Sequence, residues 1–429
     1  MSYRIGLLTI GSEILDGYIV DTNSAWIAAE LSSCGLRVES RLSVRDSDAE
    51  ILAALEWLAG RSEAVIITGG LGPTGDDRTR DCVSRFTGRP LAFSGALWEG
   101  IRVKFRRFMS VPPEENRSQA MVMEGSEVLD NPRGTAPGFL VPGKPWIAAF
   151  PGVPSELHDM FPAFLERLSL EEGARGDTTS VWIKTVGIGE SLVDEQVQKI
   201  AGPDITVGTV AHAGQVDVRL DIRLSALEGA EALAFAKERV DRFPDIARKI
   251  FSFERGESLA AALVRLLTEK GRKLVAAESC TGGLISKLVT DVPGSSAVFW
   301  GGAVTYDNLL KQRLLAVSRQ TLEKHGAVSY EAAAEMLAGL SGIVESDYAL
   351  SVTGIAGPDG GSEAKPVGTV FMGFRMPSGS FLVRFRFTGS RDMIRNRAAL
   401  KALEVVWEDL EHGSVDFDAL SGAEHWKTL

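Results

Sequence analysis

Four times in this chain a short apolar run breaks directly into a turn rich in glycine or proline. Ala64-Val-Ile-Ile-Thr68 runs into Gly69-Gly-Leu-Gly-Pro-Thr-Gly-Asp-Asp77, and Trp146-Ile-Ala-Ala-Phe150 into Pro151-Gly-Val-Pro-Ser-Glu156. Further on, Val275-Ala-Ala277 meets Glu-Ser-Cys-Thr-Gly-Gly283, and Tyr348-Ala-Leu-Ser-Val-Thr353 meets Gly354-Ile-Ala-Gly-Pro-Asp-Gly-Gly361. A strand apolar on both faces must be covered on both faces, which calls for helices packed above and below a sheet. Helical periodicity alternates with these runs from Arg4 to about Leu170, so a parallel α/β sheet with right-handed crossovers is expected there. The pattern returns near Glu257 as a second α/β sheet.

A chain of 429 residues exceeds the size at which one hydrophobic core keeps growing. Three domains are expected, at 1–170, 171–254 and 255–429, with Gly173-Ala-Arg-Gly-Asp177 as a linker. The middle segment reads as a small α+β module: strand Thr179 to Val186, helix Ser191 to Ile200, a hairpin around His212-Ala-Gly214, and an Ala-rich helix. It has no phosphate loop and no acid pair, which favours a structural or spacing role. The residues from His412 onward lack a period and are expected to fray.

Charge and cysteine content narrow the classes of function. A net charge of −11 repels nucleic-acid phosphates and anionic membranes at long range. No run approaches the ~18 apolar residues of a membrane span. Cys34, Cys82 and Cys280 are odd in number and far apart, so neither a disulfide framework nor a zinc spacing can be drawn. A soluble, cytoplasmic protein is expected.

Ser279 is the leading candidate nucleophile. It stands at a strand-to-helix turn, beside the N–H groups of Thr281, Gly282 and Gly283, which are placed to hold a developing oxyanion. The same hydroxyl also suits a plain helix cap. A Ser–His–Asp triad is poorly supported, because the nearby histidines are His325, His412 and His425 and the last two fall at or in the tail. A desolvated lysine can take the place of histidine, and Lys311 opens a helix just after the strand that ends at Tyr306. A Ser279–Lys311 dyad with Tyr306 nearby suits attack on an amide carbonyl, although Lys311 equally suits the surface of an amphipathic helix. Gly354, Gly357, Gly360 and Gly361 allow close approach of main-chain N–H groups to a phosphate or ribose, and Arg391, Arg395 and Arg397 offer fixed positive charge. In the first domain Gly69, Gly70 and Gly72 can bend around a phosphate and Thr74 can donate to it. Asp76 and Asp77 can hold Mg²⁺ or orient water, or else cap the next helix.

With these segments laid out, the chain resembles the CinA family of bacterial competence/damage-inducible proteins over nearly its whole length. Gly11-Ser-Glu-Ile-Leu-Asp-Gly17, Asp21-Thr-Asn23, Thr68-Gly-Gly-Leu-Gly-Pro-Thr74 with Asp76-Asp77, and Pro151-Gly-Val-Pro154 are similar to its molybdopterin-binding-type domain. Ala277-Glu-Ser-Cys-Thr-Gly-Gly283, Val304-Thr-Tyr-Asp-Asn308 with Lys311, the Gly354 loop and Lys365-Pro-Val-Gly-Thr369 are similar to its nicotinamide mononucleotide deamidase domain. The resemblance implies a C-terminal amidohydrolase without a cofactor, converting nicotinamide mononucleotide to nicotinate mononucleotide and ammonia. It also implies an N-terminal ADP-ribose pyrophosphatase using a divalent metal ion such as Mg²⁺, with a monovalent cation beside it, and a homodimer. Carried onto this chain, Ser279 attacks the carboxamide, Lys311 exchanges the proton and Tyr306 orients the lysine. Thr353, the Gly354 loop and Arg395 then contact ribose and phosphate. The family's middle domain is described as KH-like, yet no Gly-x-x-Gly stands between two helices here. Two other readings stay open: a pterin- or nucleotide-binding protein of cofactor assembly without turnover, and a DNA-uptake accessory, which the −11 charge disfavours.

Overall fold

The computed structural model describes residues 3–106, 111–170, 178–212, 214–223 and 229–429. Over them the chain divides into two compact units, one of residues up to 180 with 222 and 223, the other of 181–221 with 229–429. The expected linker at 173–177 lies outside the described residues.

The first unit begins with β1 (Arg4–Ile10), α1 (Ser12–Leu15), α2 (Thr22–Ser33), β2 (Arg37–Val44), α3 (Asp48–Ala59), β3 (Ala64–Thr68) and α4 (Thr79–Thr87). It continues with β4 (Leu91–Phe93), α5 (Gly95–Phe105), β5 (Met121–Met123), β6 (Glu127–Leu129), β7 (Gly138–Val141), β8 (Trp146–Phe150) and α6 (Pro154–Leu168). Six strands form one sheet in the order β2-β1-β3-β8-β7-β6. Its first four strands are mutually parallel, as the sequence leads one to expect, whereas β7 and β6 run antiparallel. Strands of three or four residues are too short to show a period, which is why this antiparallel edge is silent in the sequence. The central strand β3 explains the two-sided apolar run. Ala64 and Ile66 enter one core with Phe150, Phe161 and Phe164, while Val65 and Ile67 enter the opposite core with Leu55, Leu58 and Val83.

In the middle segment β9 (Thr178–Val186), α7 (Glu190–Val197), β10 (Ile205–His212), β11 (Gln215–Arg223), α8 (Gly229–Val240), α9 (Pro244–Ala247) and β12 (Ile250–Ser252) build a sheet in the order β10-β11-β9-β12.

The remainder starts with α10 (Leu259–Glu269), β13 (Leu274–Glu278), α11 (Leu284–Thr290), β14 (Phe299–Val304), α12 (Asn308–Leu315), α13 (Arg319–His325) and α14 (Tyr330–Ile343). After these come β15 (Tyr348–Gly354), β16 (Thr369–Met376), β17 (Gly379–Arg386), α15 (Arg391–His412) and β18 (Ala423–Thr428). The sheet order is β14-β13-β15-β16-β17-β18, parallel across its first three strands and antiparallel beyond. Here β13 is the strand buried on both faces: Leu274 and Ala276 pack under α10 and α15, and Val275 and Ala277 pack under α14. One expectation fails at the end of the chain. The tail after His412 does not fray but closes the sheet as β18, because Phe417 and Leu420 are buried and the rings of Phe381, Phe417 and Trp426 pack together in tilted and edge-on contacts.

Candidate active sites

Ser279 is the first residue after β13 and is 7% exposed. Its N–H donates to Val352 O at 2.9 Å, and Glu278 O accepts from Thr305 N at 2.8 Å, so main-chain pairing to strands on both sides fixes the turn. Lys311, on α12, is 1% exposed, and its Nζ lies 3.0 Å from Ser279 Oγ, 2.7 Å from Thr305 O and 3.1 Å from Tyr306 O. Burial pulls its pKa below the usual lysine value, and the nearby Cys280 and Asp307 oppose that shift only in part. A neutral amine has two N–H bonds and one lone pair. In that form Nζ can give its two N–H bonds to these carbonyls and turn its lone pair to the serine hydroxyl; as an ammonium it donates to all three oxygens. The arrangement is that of a nucleophile with its base.

Ser279, Tyr306, Lys311, Thr353, Gly354, Gly357 and Gly360 line one cavity of about 270 Å³, together with Cys280, Asn308, Asp359 and Arg391. Other predicted residues do not. The N–H of Gly282 donates to Ser279 O, and that of Gly283 to Glu278 Oε2. Of the three amides expected to receive an oxyanion, only that of Thr281 donates to no oxygen, but Thr281 is fully buried and lines no part of the cavity, so none of the three predicted donors faces it. Gly361 packs against Val367 rather than lining the cavity. Arg395 does not line the cavity either: its guanidinium donates to Cys280 O and Thr281 O and braces the turn from behind. Arg397 turns to Thr388 O, leaving Arg391 as the arginine at the mouth, bonded to Tyr306 Oη at 2.7 Å and Gly357 O at 2.6 Å. Tyr306 thus holds Lys311 through its carbonyl, not through its phenol. Thr353 is pinned by a 2.7 Å bond from Oγ1 to Ala327 O.

One residue of this site escaped the sequence reading. The Glu278 carboxylate, fully buried, accepts from the N–H groups of Gly283, Ile285 and Ser286 and from Ser286 Oγ at 2.7–3.1 Å. It caps the start of α11 and thereby frees Ser279 from that duty. An acidic residue ending a wholly apolar strand just before a helix was the available signal. Cys280, beside the nucleophile, is buried, and burial pushes its thiol up to about 12, so it is inert.

In the first unit Gly69, Gly70, Gly72, Thr74, Asp76 and Asp77 all line a wider cavity of about 650 Å³. At Gly69, φ is 97°, and a Cβ there would meet Ile10 O at 2.1 Å, so only glycine brings this turn against β1. Asp77 does not cap α4, whose N-cap is Arg78; its oxygens accept from Gly72 N, Thr74 N and Thr74 Oγ1 at 2.6–2.8 Å and close the loop. Asp76 is exposed, and its carboxyl sits below the ordinary range through the Thr74 hydroxyl. Glu13, Asp21, Asp46 and Glu156 face the same cavity, which is lined by six carboxylates and by no Lys, Arg or His. Asp46 and Gln119 were not foreseen from sequence, since each arrives from a distant segment. Among the described residues no group of three or more His, Cys, Asp or Glu side chains could hold a metal ion by itself.

Two α/β sheets with ligand-sized cavities at their strand ends, one of them holding a buried Ser–Lys pair, place the chain among two-site α/β proteins. Residues 6–170 match the model described as "Probable molybdopterin binding domain", and residues 256–410 match the "CinA C-terminal domain". The CinA-like protein of Thermotoga maritima is 38% identical over 406 residues, covering 94% of this chain and 97% of that protein. That of Geobacter sulfurreducens is 39% identical over 406 residues, covering 94% and 98%. Among solved structures, the competence/damage inducible protein CihA from Agrobacterium tumefaciens is 40% identical, covering 34% of this chain and 90% of that one, with a TM-score of 0.33. This chain belongs to the CinA family.

Proposed function

We propose that the chain is a two-headed nucleotide hydrolase whose C-terminal site deamidates nicotinamide mononucleotide and whose N-terminal site cleaves the pyrophosphate of ADP-ribose. The observation that carries the first half is the 3.0 Å contact of a buried, carbonyl-held Lys311 Nζ with Ser279 Oγ. Lys311 takes the hydroxyl proton as Ser279 Oγ bonds to the carboxamide carbon. Lys311 then passes the proton to the departing nitrogen, so the C–N bond breaks and ammonia leaves. Water, deprotonated by the same amine, hydrolyses the nicotinoyl ester, and the proton returns to Ser279 Oγ. The nucleotide's phosphate is met by Arg391 at the cavity mouth.

For the N-terminal half, the absence of any basic group among the lining residues is the supporting observation. A pyrophosphate can enter a cavity of six carboxylates only with cations of its own. Asp76 and Asp77 fit a divalent ion that takes its remaining ligands from phosphate and water. Asp76 Oδ2 is uncommitted in the loop, and Asp77 Oδ1 accepts one bond. Such an ion would supply charge neutralisation of the leaving phosphate. The residues 171–254 are proposed to have a structural role. Incubation of the wild-type protein with each nucleotide separately, with product analysis, tests both halves. Release of ammonia from nicotinamide mononucleotide and of AMP from metal-loaded ADP-ribose is expected. Tight binding without either product would favour the cofactor-assembly binding protein instead.

A further inference from the structure

A third cavity, of about 310 Å³, lies wholly within the second unit, away from Ser279. Its floor is α15, which contributes Arg397, Leu400, Lys401 and Glu404; Arg386 from the end of β17 and the turn Gly187-Ile188-Gly189 before α7 complete it. Charge inside is unbalanced. Two buried carboxylates, Glu404 and Glu408, are matched by two buried lysines: Lys249 is ion-paired with both, and Lys401 Nζ lies 2.6 Å from Glu404 Oε2. That leaves Arg386 and Arg397, neither of which has an ion-pair partner among the described residues. Arg386 reaches Thr369 Oγ1 at 3.3 Å, and Arg397 reaches the carbonyl and hydroxyl of Thr388. Lys401 itself is 6% exposed and lines the cavity, its Nζ held by Glu404 alone among the described residues.

The opposite wall offers donors of another kind. α7 has eight residues, its N-cap is Gly189, and no side chain caps it. Gly187, at φ 72°, lets this turn close on Glu404, since a Cβ there would meet Glu404 Oε1 at 1.9 Å. Two unpaired guanidinium groups, a buried ammonium and an uncapped helix start therefore converge on one space in a protein of net charge −11. The two half-exposed guanidinium groups face this space without a carboxylate of their own, and an anion entering it would supply one.

We propose that this cavity binds a phosphoryl group, either free phosphate or the end of a small sugar phosphate, held by Arg386, Arg397 and Lys401 with the first N–H groups of α7. The test is equilibrium binding of labelled inorganic phosphate to the full chain, with unlabelled ribose 5-phosphate as competitor. Saturable binding is expected in the wild type, weakened about ten-fold by Arg397→Ala and by Lys401→Met and largely restored by Arg397→Lys. Binding should be unaltered in Ser279→Ala and Asp77→Ala, which separates this cavity from the two proposed catalytic ones. Arg397 is half-exposed, so its alanine variant will fold, and a melting curve checks that. Displacement by ribose 5-phosphate assigns the cavity to sugar phosphates; binding without displacement assigns it to the free ion. Phosphate affinity unchanged in Arg397→Ala, or no saturable binding by the wild type, overturns the proposal.

Discussion

The two proposed catalytic cavities sit at equivalent places, the strand ends of α/β sheets, yet they are built on opposite terms. The C-terminal one is narrow, about 270 Å³, and its reactive pair is already assembled: Ser279 and Lys311 are buried, touching and held by main-chain carbonyls. The N-terminal one is wide, about 650 Å³, lined by carboxylates, and its Thr74 hydroxyl is bonded to Asp77 and closes the loop. One cavity brings its chemistry with it. The other supplies a shaped, negatively charged space that is completed by what enters. A covalent route needs a desolvated base before substrate arrives; a cation-assisted route needs acceptors that remain open to solvent.

The most severe way to break this contrast is Ser279→Ala. Ammonia release should fall by ~10³-fold or more while ADP-ribose cleavage and the melting temperature hold; retained deamidation would remove the covalent route altogether. Lys311→Met should lower deamidation by ~10²–10⁴-fold with the fold retained, since an apolar chain of similar length fills the place of the amine. The pH dependence has a defined sign. Lys311 has a lowered pKa in the folded chain, so the unfolded chain binds the extra proton, and stability rises with pH between the folded value and the ordinary lysine value. Deamidation should likewise climb through the depressed Lys311 pKa and then level. A rate that declines across that range would mean that the ammonium is the active form.

On the other side of the contrast, Asp77→Ala should reduce metal-dependent ADP-ribose cleavage by ~10–100-fold, with deamidation unaltered. Undiminished cleavage would leave Asp77 as a loop brace alone. Glu278→Gln sharpens the picture of preassembly. It replaces a carboxylate that accepts four bonds by an amide whose NH₂ faces donors, and should cost about 2 kcal/mol of stability and ~10-fold in deamidation. Tyr306→Phe is the mildest: less than ~3-fold in kcat, since the phenol bonds Arg391 and the lysine is held by the Tyr306 carbonyl.

What could be read from the chain alone were the features written in consecutive residues. Apolar runs ending in glycine turns placed Ser279, the Gly69 loop and the Gly354 loop at strand ends, and a lysine just inside a helix after a strand pointed to Lys311. Features that depend on a side chain crossing between elements were not legible. The reach of Arg395 from α15 to the carbonyls of Cys280 and Thr281, the turn of Arg397 away from the site, and the arrival of Asp46 at the first cavity each join distant segments. The oxyanion amides were misjudged for a related reason. Counting free N–H groups at a helix start presumes that nothing else claims them, and Glu278, one residue before the serine, claims several.

Under the proposed deamidation, that same carboxylate bears on which way round the nucleotide lies. The start of α11 is the position where an anionic ligand would ordinarily be drawn to the end of the peptide dipoles. In this chain the berth is filled from within, and a phosphate pushed toward Ser279 would meet a fixed negative charge. In that proposed reaction, the neutral amide of the substrate would go to the depth of the cavity and its charged end would stay at the mouth with Arg391, the start of α11 being already occupied by Glu278.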